Sequence, residues 1–294
     1  MPEKLLSTRS IVIYPNSMTE KELQKVQDSF QRSGIDAVAY FEMDRLLAGR
    51  DASNAFAYYF NQRAITNLVF FSKSNNQYAT FITGFNGKDS FIDNNQLAWT
   101  AEDVDLTELL KKIYRASSNL TRGNFLISDY PETNLPVQVI SGRRSEFFAI
   151  DLKVDPLAVP KTGDELIDKD LESIFSMYPF KFKFTDPGVP EKELRQKGFL
   201  YVLCFVHTEG SIAKEILGYD TSKPESAYVS VTYPQDATQP QLRNIPADMP
   251  VYKFYFKHIE SGNVFLGTKW DADISWQQAL RNHLMAFKTE LKIN

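Results

Sequence analysis

The feature that most constrains this chain is an alternation of short apolar runs with helical segments near its start. Ser10-Ile11-Val12-Ile13-Tyr14-Pro15 reads as a strand, because β-branched and aromatic side chains suit a half-buried pleated surface. Thr19-Glu20-Lys21-Glu22 follows, and a Thr with a Glu three residues on can satisfy two unpaired amides at a helix start. The spacing predicts a helix to about Arg32 closed by Ser33-Gly34, then a strand over Ile35 to Phe41. Next come a helix from Met43 to about Ala64, interrupted near Gly49 to Ser53, and a strand at Leu68-Val69-Phe70-Phe71. Parallel neighbours need a crossover connection, whereas a tight turn serves only antiparallel ones. The pattern therefore predicts a sheet with helices packed against it.

Ser74-Asn75-Asn76 then reads as a hairpin turn into a strand from Tyr78 to Thr83, since asparagine tolerates left-handed backbone. A helix is expected from Leu106 to Ser117, capped by Asp105. The C-terminal end looks like a second version of this stretch. A strand from Val251 to Ile259, a turn at Glu260-Ser261-Gly262-Asn263 and a strand from Val264 to Thr268 lead through Trp270 into a helix capped by Ser275. Laying Trp99 over Trp270 also lays Ala101 over Ala272, Leu109 over Leu280 and Ile113 over Leu284, a hint of internal repetition.

Between the ends, strands are expected at Phe147 to Val154, Phe180 to Thr185, Phe199 to His207 and Ala227 to Thr232. Helices are expected at Asp164 to Tyr178, Glu191 to Lys197 and Ser211 to Leu217, and a long surface loop from Pro234 to Pro250. The fold class is α/β (or α+β): two similarly built halves, each a mixed sheet flanked by helices. Turn-rich sequence places an N-terminal domain at 1–120, a connecting segment at 121–144 and a C-terminal domain at 145–294, a possible divergent duplicate of the first. Within the connection, Phe125-Leu126-Ile127 and Val137-Gln138-Val139-Ile140 could each add a strand.

Composition narrows the function. With 43% apolar and 24% charged residues the chain can bury a core, which disfavours disorder or fibrous repeats. A net charge of −4 does not call for a polyanionic partner, so nucleic acid is disfavoured though not excluded. The one cysteine, Cys204, cannot form an intramolecular disulfide or build a thiolate zinc site alone. No apolar run is long enough for a signal peptide or a membrane span, so a soluble, cytoplasmic protein with no membrane partner is expected.

The familiar chemical signatures are missing: no phosphate-binding glycine loop, no His-Glu-x-x-His helix and no Gly-x-Ser-x-Gly elbow occurs. Cys204 and His207 suggest a nucleophile and base, but a spacing of three in a strand points them to opposite faces, which leaves Cys204 as a small core residue. Asp151, Lys153 and Asp155 have the spacing that would share one strand face. Asp-x-Lys on a strand loosely resembles metal-dependent nucleases, with Asp151 as catalytic metal ligand for Mg or Mn and Lys153 as electrostatic stabiliser. Glu146, Asp129 or Asp186 would have to supply the further acid, and the plainer reading is a solvated strand face.

A second candidate surface joins Lys181 and Lys183, alternating with Phe180, Phe182 and Phe184, to Lys253, Tyr255 and Lys257. Lysines could pair with phosphates and tyrosine could stack on a base, although lysine on an exposed sheet face more simply prevents aggregation. Arg143-Arg144 beside Gly142 suggests an anion pocket or mere surface charge, and Tyr58, Tyr59 and Phe60 suggest core packing or a protein-binding patch. The favoured function is a non-catalytic binding or protein-interaction module for a protein partner or small ligand, with no cofactor. The alternatives are the metal-dependent hydrolase of phosphoester or nucleic acid, and a small-ligand sensor using a cleft between the halves.

Overall fold

A computed structural model describes every residue except Asn76, Tyr130, Asn134, residues 236–238 and Asn294. Asn76 of the expected hairpin turn, Tyr130 and Asn134 of the connecting segment, and residues 236–238 of the expected loop therefore lie outside the described residues. The protein is a mixed α/β structure with two six-stranded mixed sheets flanked by helices. It divides into two compact units: Met1–Leu47 with Ala52–Val137, and Gln138–Asn294 with Ala48–Asp51.

The first unit runs β1 (Arg9–Tyr14), α1 (Glu20–Ser33), β2 (Asp36–Glu42), α2 (Met43–Leu46), α3 (Arg50–Gln62, its first two residues counted with the second unit), β3 (Ile65–Ser74), β4 (Gln77–Gly84), β5 (Trp99–Asp103), α4 (Leu106–Ser117) and β6 (Glu132–Thr133). Its sheet order is β5-β4-β3-β1-β2-β6. β1 pairs in parallel with both β2 and β3, while β4 is antiparallel to β3 and to β5. Period-two geometry sends Val12 and Tyr14 to one face, with Val26 and Phe30 of α1 and Leu109 and Ile113 of α4. Ile11 and Ile13 go to the other, with Phe56 and Phe60 of α3. Burial on both faces is the rule for a strand flanked by crossover helices, and it explains the uninterrupted apolar run of β1.

The second unit runs β7 (Arg144–Ser145), β8 (Leu157–Pro160), α5 (Glu165–Phe175), β9 (Phe182–Thr185), α6 (Glu191–Gln196), β10 (Tyr201–Glu209), α7 (Gly210–Ile216), β11 (Ala227–Thr232), β12 (Gln241–Pro246), β13 (Pro250–His258), β14 (Val264–Phe265) and α8 (Trp276–Glu290). Its main sheet has the order β7-β14-β13-β10-β8-β9. β8 lies parallel to both β9 and β10, and β13 is antiparallel to β10 and to β14. Five strands therefore repeat the order and sense of the first unit: β14-β13-β10-β8-β9 matches β5-β4-β3-β1-β2. The added strand differs, lying beside β2 in one sheet and beside β14 in the other. α5 and α8 cover one face through Leu171, Phe175, Leu280, Leu284 and Phe287.

Four expectations need correction. Phe147 to Val154 is not a strand: Ile150–Lys153 is a 3-10 turn with only Leu152 buried, while Ile150 and Val154 are exposed. Asp155-Pro156 ends that stretch, and among the described residues no strand pairs with it to reward extension. Part of the expected loop 234–250 is β12, which pairs with β11 in a separate hairpin; of its residues only Ile245 is buried, and even Leu242 is exposed. The two stretches at 125–127 and 137–140 carry no strand, and the short β6 and β7 take those roles in the sheets. Trp99 and Trp270 are not equivalent either, for Trp99 sits in β5 whereas Trp270 lies between β14 and α8.

The helix ends follow their local chemistry. The Thr19 amide donates to Glu22 Oε2 at 2.7 Å and the Glu22 amide donates to Thr19 Oγ1 at 3.4 Å, a reciprocal cap. Gly34 closes α1 in the left-handed region, at φ 92°, where a Cβ would be strained. Thr19→Ala is expected to lower the unfolding free energy by about 1 kcal/mol, read from the urea midpoint at unchanged m value.

Candidate functional site

The sequence-derived candidates do not form one site. Asp151 and Lys153 are exposed on the 3-10 turn and share no strand face. Among the described residues no group of three or more His, Cys, Asp or Glu side chains is placed to hold a metal ion. Cys204 and His207 do lie in β10 on opposite faces, as period two requires. His207 stacks on Tyr252 with ring centroids 3.9 Å apart. Burial, with Asp51 next in effect, pushes the Cys204 thiol upward, so it is not an activated nucleophile. Lys181 and Lys183 are exposed beside half-buried Phe182 and Phe184 on β9, the sheet edge. Arg144 is tied down, donating to the Leu217 carbonyl and lying over Tyr219. Phe60 is core, whereas Tyr58 is exposed.

The greatest departure concerns β13. Lys253, Tyr255 and Lys257 share one face, but that face is inside the protein: Lys253 is wholly buried and Tyr255 nearly so. No nucleic-acid surface or solvated sheet face exists there. Lys253 Nζ lies 2.6 Å from Asp271 Oδ1 and donates to the Leu266 carbonyl at 2.7 Å. His283 Nδ1 lies 3.1 Å from Asp271 Oδ2, which places the proton of a neutral imidazole on Nδ1. Burial alone would raise the Asp271 carboxyl, but Lys253 and His283 outweigh it and hold it low. Burial, with Lys253 next in effect, pushes His283 down to about 4.

Further along the strand, Lys257 Nζ bridges Asp51 Oδ1 at 2.7 Å and Glu191 Oε1 at 2.9 Å, and the Tyr255 hydroxyl donates to Asp51 Oδ2 at 2.7 Å. Desolvation opposes the charge on Lys257, but the two carboxylates prevail and raise its pKa. Asp51 reaches this network because Ala48–Asp51 runs along β10. The His207 amide donates to the Ala48 carbonyl at 2.7 Å, and Gly49, at φ 150°, passes so near that a Cβ would stand 2.5 Å from the Phe205 carbonyl oxygen.

Asp51, Glu191 and Tyr255 border a crevice of about 350 Å³ in the second unit. Its floor is Val202 to Phe205 of β10 with Phe254 and Tyr255 of β13. The walls are Pro160 and Thr162 after β8, Ile167 and Leu171 of α5, and Trp276 of α8, with Arg50 and Glu191 at the polar side. Its position follows from topology. The connection after β8 leads to β9 on one side, whereas β10 lies on the other, so the strand ends diverge. Pairing between β8 and β10 covers only Leu157↔Tyr201 and Ala158↔Val202, and Ala48–Gly49 lies against β10 only from Phe205 to His207, so the crevice opens between the two. In open α/β sheets, ligands bind at the carboxyl ends of strands where the order reverses. The volume lies at the lower end of the range for small-molecule pockets, roughly 300–1,000 Å³.

Sequence reasoning missed this crevice because its residues come from six separate stretches. The one local signal was the proline closing β8 two residues before Thr162, which marks where a crossover leaves the sheet. No protein-family model matches the chain, and no curated protein matches it. No helix among the described residues is long and apolar enough to cross a membrane.

Two outcomes are expected of the buried charges. Lys253→Met strands the Asp271 carboxylate and is expected to cost about 3–5 kcal/mol in urea unfolding, with Lys253→Met/Asp271→Leu recovering most of it. His283 stays neutral in the folded state while the unfolded imidazole takes up a proton below about 6.5. Its contribution is therefore complete above pH 6.5, lost as the pH falls toward 4 and constant below. Comparison with His283→Gln across that window should show a difference of roughly 3 kcal/mol.

Proposed function

We propose that this protein is a non-catalytic binding module made of two divergent copies of one α/β unit, and that the crevice of the second unit takes a small apolar ligand. The observation that carries this reading is the place of the crevice, past the carboxyl end of β8 and beside Val202 to Phe205 of β10, with walls that are chiefly hydrocarbon and aromatic. Burying apolar surface there yields about 25 cal/mol per Å², and Arg50, Glu191 and Thr162 at its side can orient a polar group. A binding role is also favoured by the chemistry of the lining. The Cys204 thiol is raised, and Asp51 is occupied by Lys257 and Tyr255. The lining therefore holds no poised acid–base pair. The repeated strand order supports the duplication.

Calorimetry and thermal shift with indole and isobutylbenzene as probes test this. One-to-one binding, a raised melting temperature and unchanged probe recovered afterwards are expected. Leu171→Trp, which fills the crevice from α5, is expected to abolish binding, while Asp151→Ala leaves it intact. Failure of both probes to bind, or undiminished binding by a folded Leu171→Trp protein, would sink the proposal.

A further inference from the structure

The strand registers allow the two sheets to be matched residue by residue. Tyr14-Pro15 and Val159-Pro160 each leave the central strand, and in both cases the helix cap lies four residues after the proline, at Thr19 and Asp164. With the prolines matched, Ile13, which pairs with Phe70, corresponds to Ala158, which pairs with Val202. Three residues further along those partner strands, Lys73 corresponds to Phe205. Lys73 lies opposite Tyr78, and Phe205 lies opposite Phe254, so the fourth strand keeps the same correspondence. Three residues after the caps, Glu22 corresponds to Ile167.

In the first unit these three positions form an ionic cluster. Lys73 Nζ donates to Glu22 Oε1 at 2.8 Å and to the Ser17 carbonyl at 3.2 Å, and the Tyr78 hydroxyl donates to the same carboxylate. Burial would raise the Glu22 carboxyl, but hydrogen bonds from Lys73, the Thr19 amide and Tyr78 hold it at about 2. The cluster ties α1, β3, β4 and the segment after β1 together across the strand ends. In the second unit the same positions are Ile167, Phe205 and Phe254, and all three line the crevice, as does Thr162, the counterpart of Ser17. Hydrocarbon side chains offer no hydrogen bonds to draw those walls together.

We infer that this exchange of three residues confines ligand binding to the second unit, whose crevice takes an uncharged aromatic or branched apolar group, while Glu22, Lys73 and Tyr78 close the corresponding place in the first. The inference rests on the binding reading above and adds to it the ligand class and the choice between the two places. An apolar ligand entering the ionic cluster would have to displace charge-assisted hydrogen bonds without replacing them. At the second unit's crevice, Lys257 pairs with both Asp51 and Glu191 and Arg50 in the lining supplies the second positive charge, so the ligand needs no net charge.

Calorimetric titration of the full chain with indole tests this. Wild type should bind at one site. Ile167→Glu/Phe205→Lys/Phe254→Tyr, which writes the first unit's cluster into the second, should weaken binding at least about tenfold with unchanged circular dichroism. Ile167→Val/Phe205→Leu/Phe254→Leu should retain it. If the triple exchange does not fold, Phe205→Lys alone carries the test, because Phe205 is 44% exposed and the fold tolerates a polar side chain there. No binding by wild type would sink the binding reading itself. Two equivalent sites in wild type, or one-site binding that persists in the folded exchange variant, would overturn this inference alone.

Discussion

The parallel pairing of one short strand between two neighbours governs each unit. β1 is held by β2 and β3, and β8 by β9 and β10. Parallel neighbours cannot be joined by a tight turn, so each pairing imposes a crossover, and the crossovers cover the sheet faces and bury the central strand on both sides. Because the chain leaves that strand toward one neighbour and returns beside the other, the carboxyl ends diverge. The crevice is thus a product of connectivity before any side chain is chosen. What the side chains decide is whether it is bridged, as by Lys73 and Glu22, or left open, as by Phe205 and Ile167.

β13 shows how far buried charge can be carried by a strand interior. Lys253 and Lys257 alternate with aromatic residues and each finds a carboxylate from a distant part of the chain, Asp271 for one and Asp51 with Glu191 for the other. Such pairs add little net stability over hydrocarbon packing, since desolvation offsets the attraction, but removing one partner is costly. They therefore act as constraints on register: a slip of one residue in β13 would carry both ammonium groups to the opposite face, away from their partners.

Much of the fold was legible in the sequence where local rules act within one element. Thr19 and Glu22 marked the start of α1, Asp105 that of α4, and the β-α-β-α-β order followed from period and turn residues. Reading failed where tertiary context decides. Ile150, Leu152 and Val154 alternate with charges as a half-buried strand would, yet without a partner strand the segment coils and exposes two of them. Gln241 to Pro246 looks like loop because a hairpin packed through Ile245 needs little hydrophobicity. Lys253 and Lys257 look solvated because their counter-charges lie far away in sequence. The crevice was the least legible feature, since it exists only once strand registers are known.

The membership of Ala48–Asp51 in the second unit bears on how the chain can be cut. Excising the C-terminal half at Val137–Gln138 would leave behind the carboxylate that accepts from Tyr255 and pairs with Lys257. The fragment would also lose the carbonyl at Ala48 that receives the His207 amide. The linear order of the sequence and the inventory of each half thus do not coincide, and a clean dissection would have to carry a short N-terminal graft along with it.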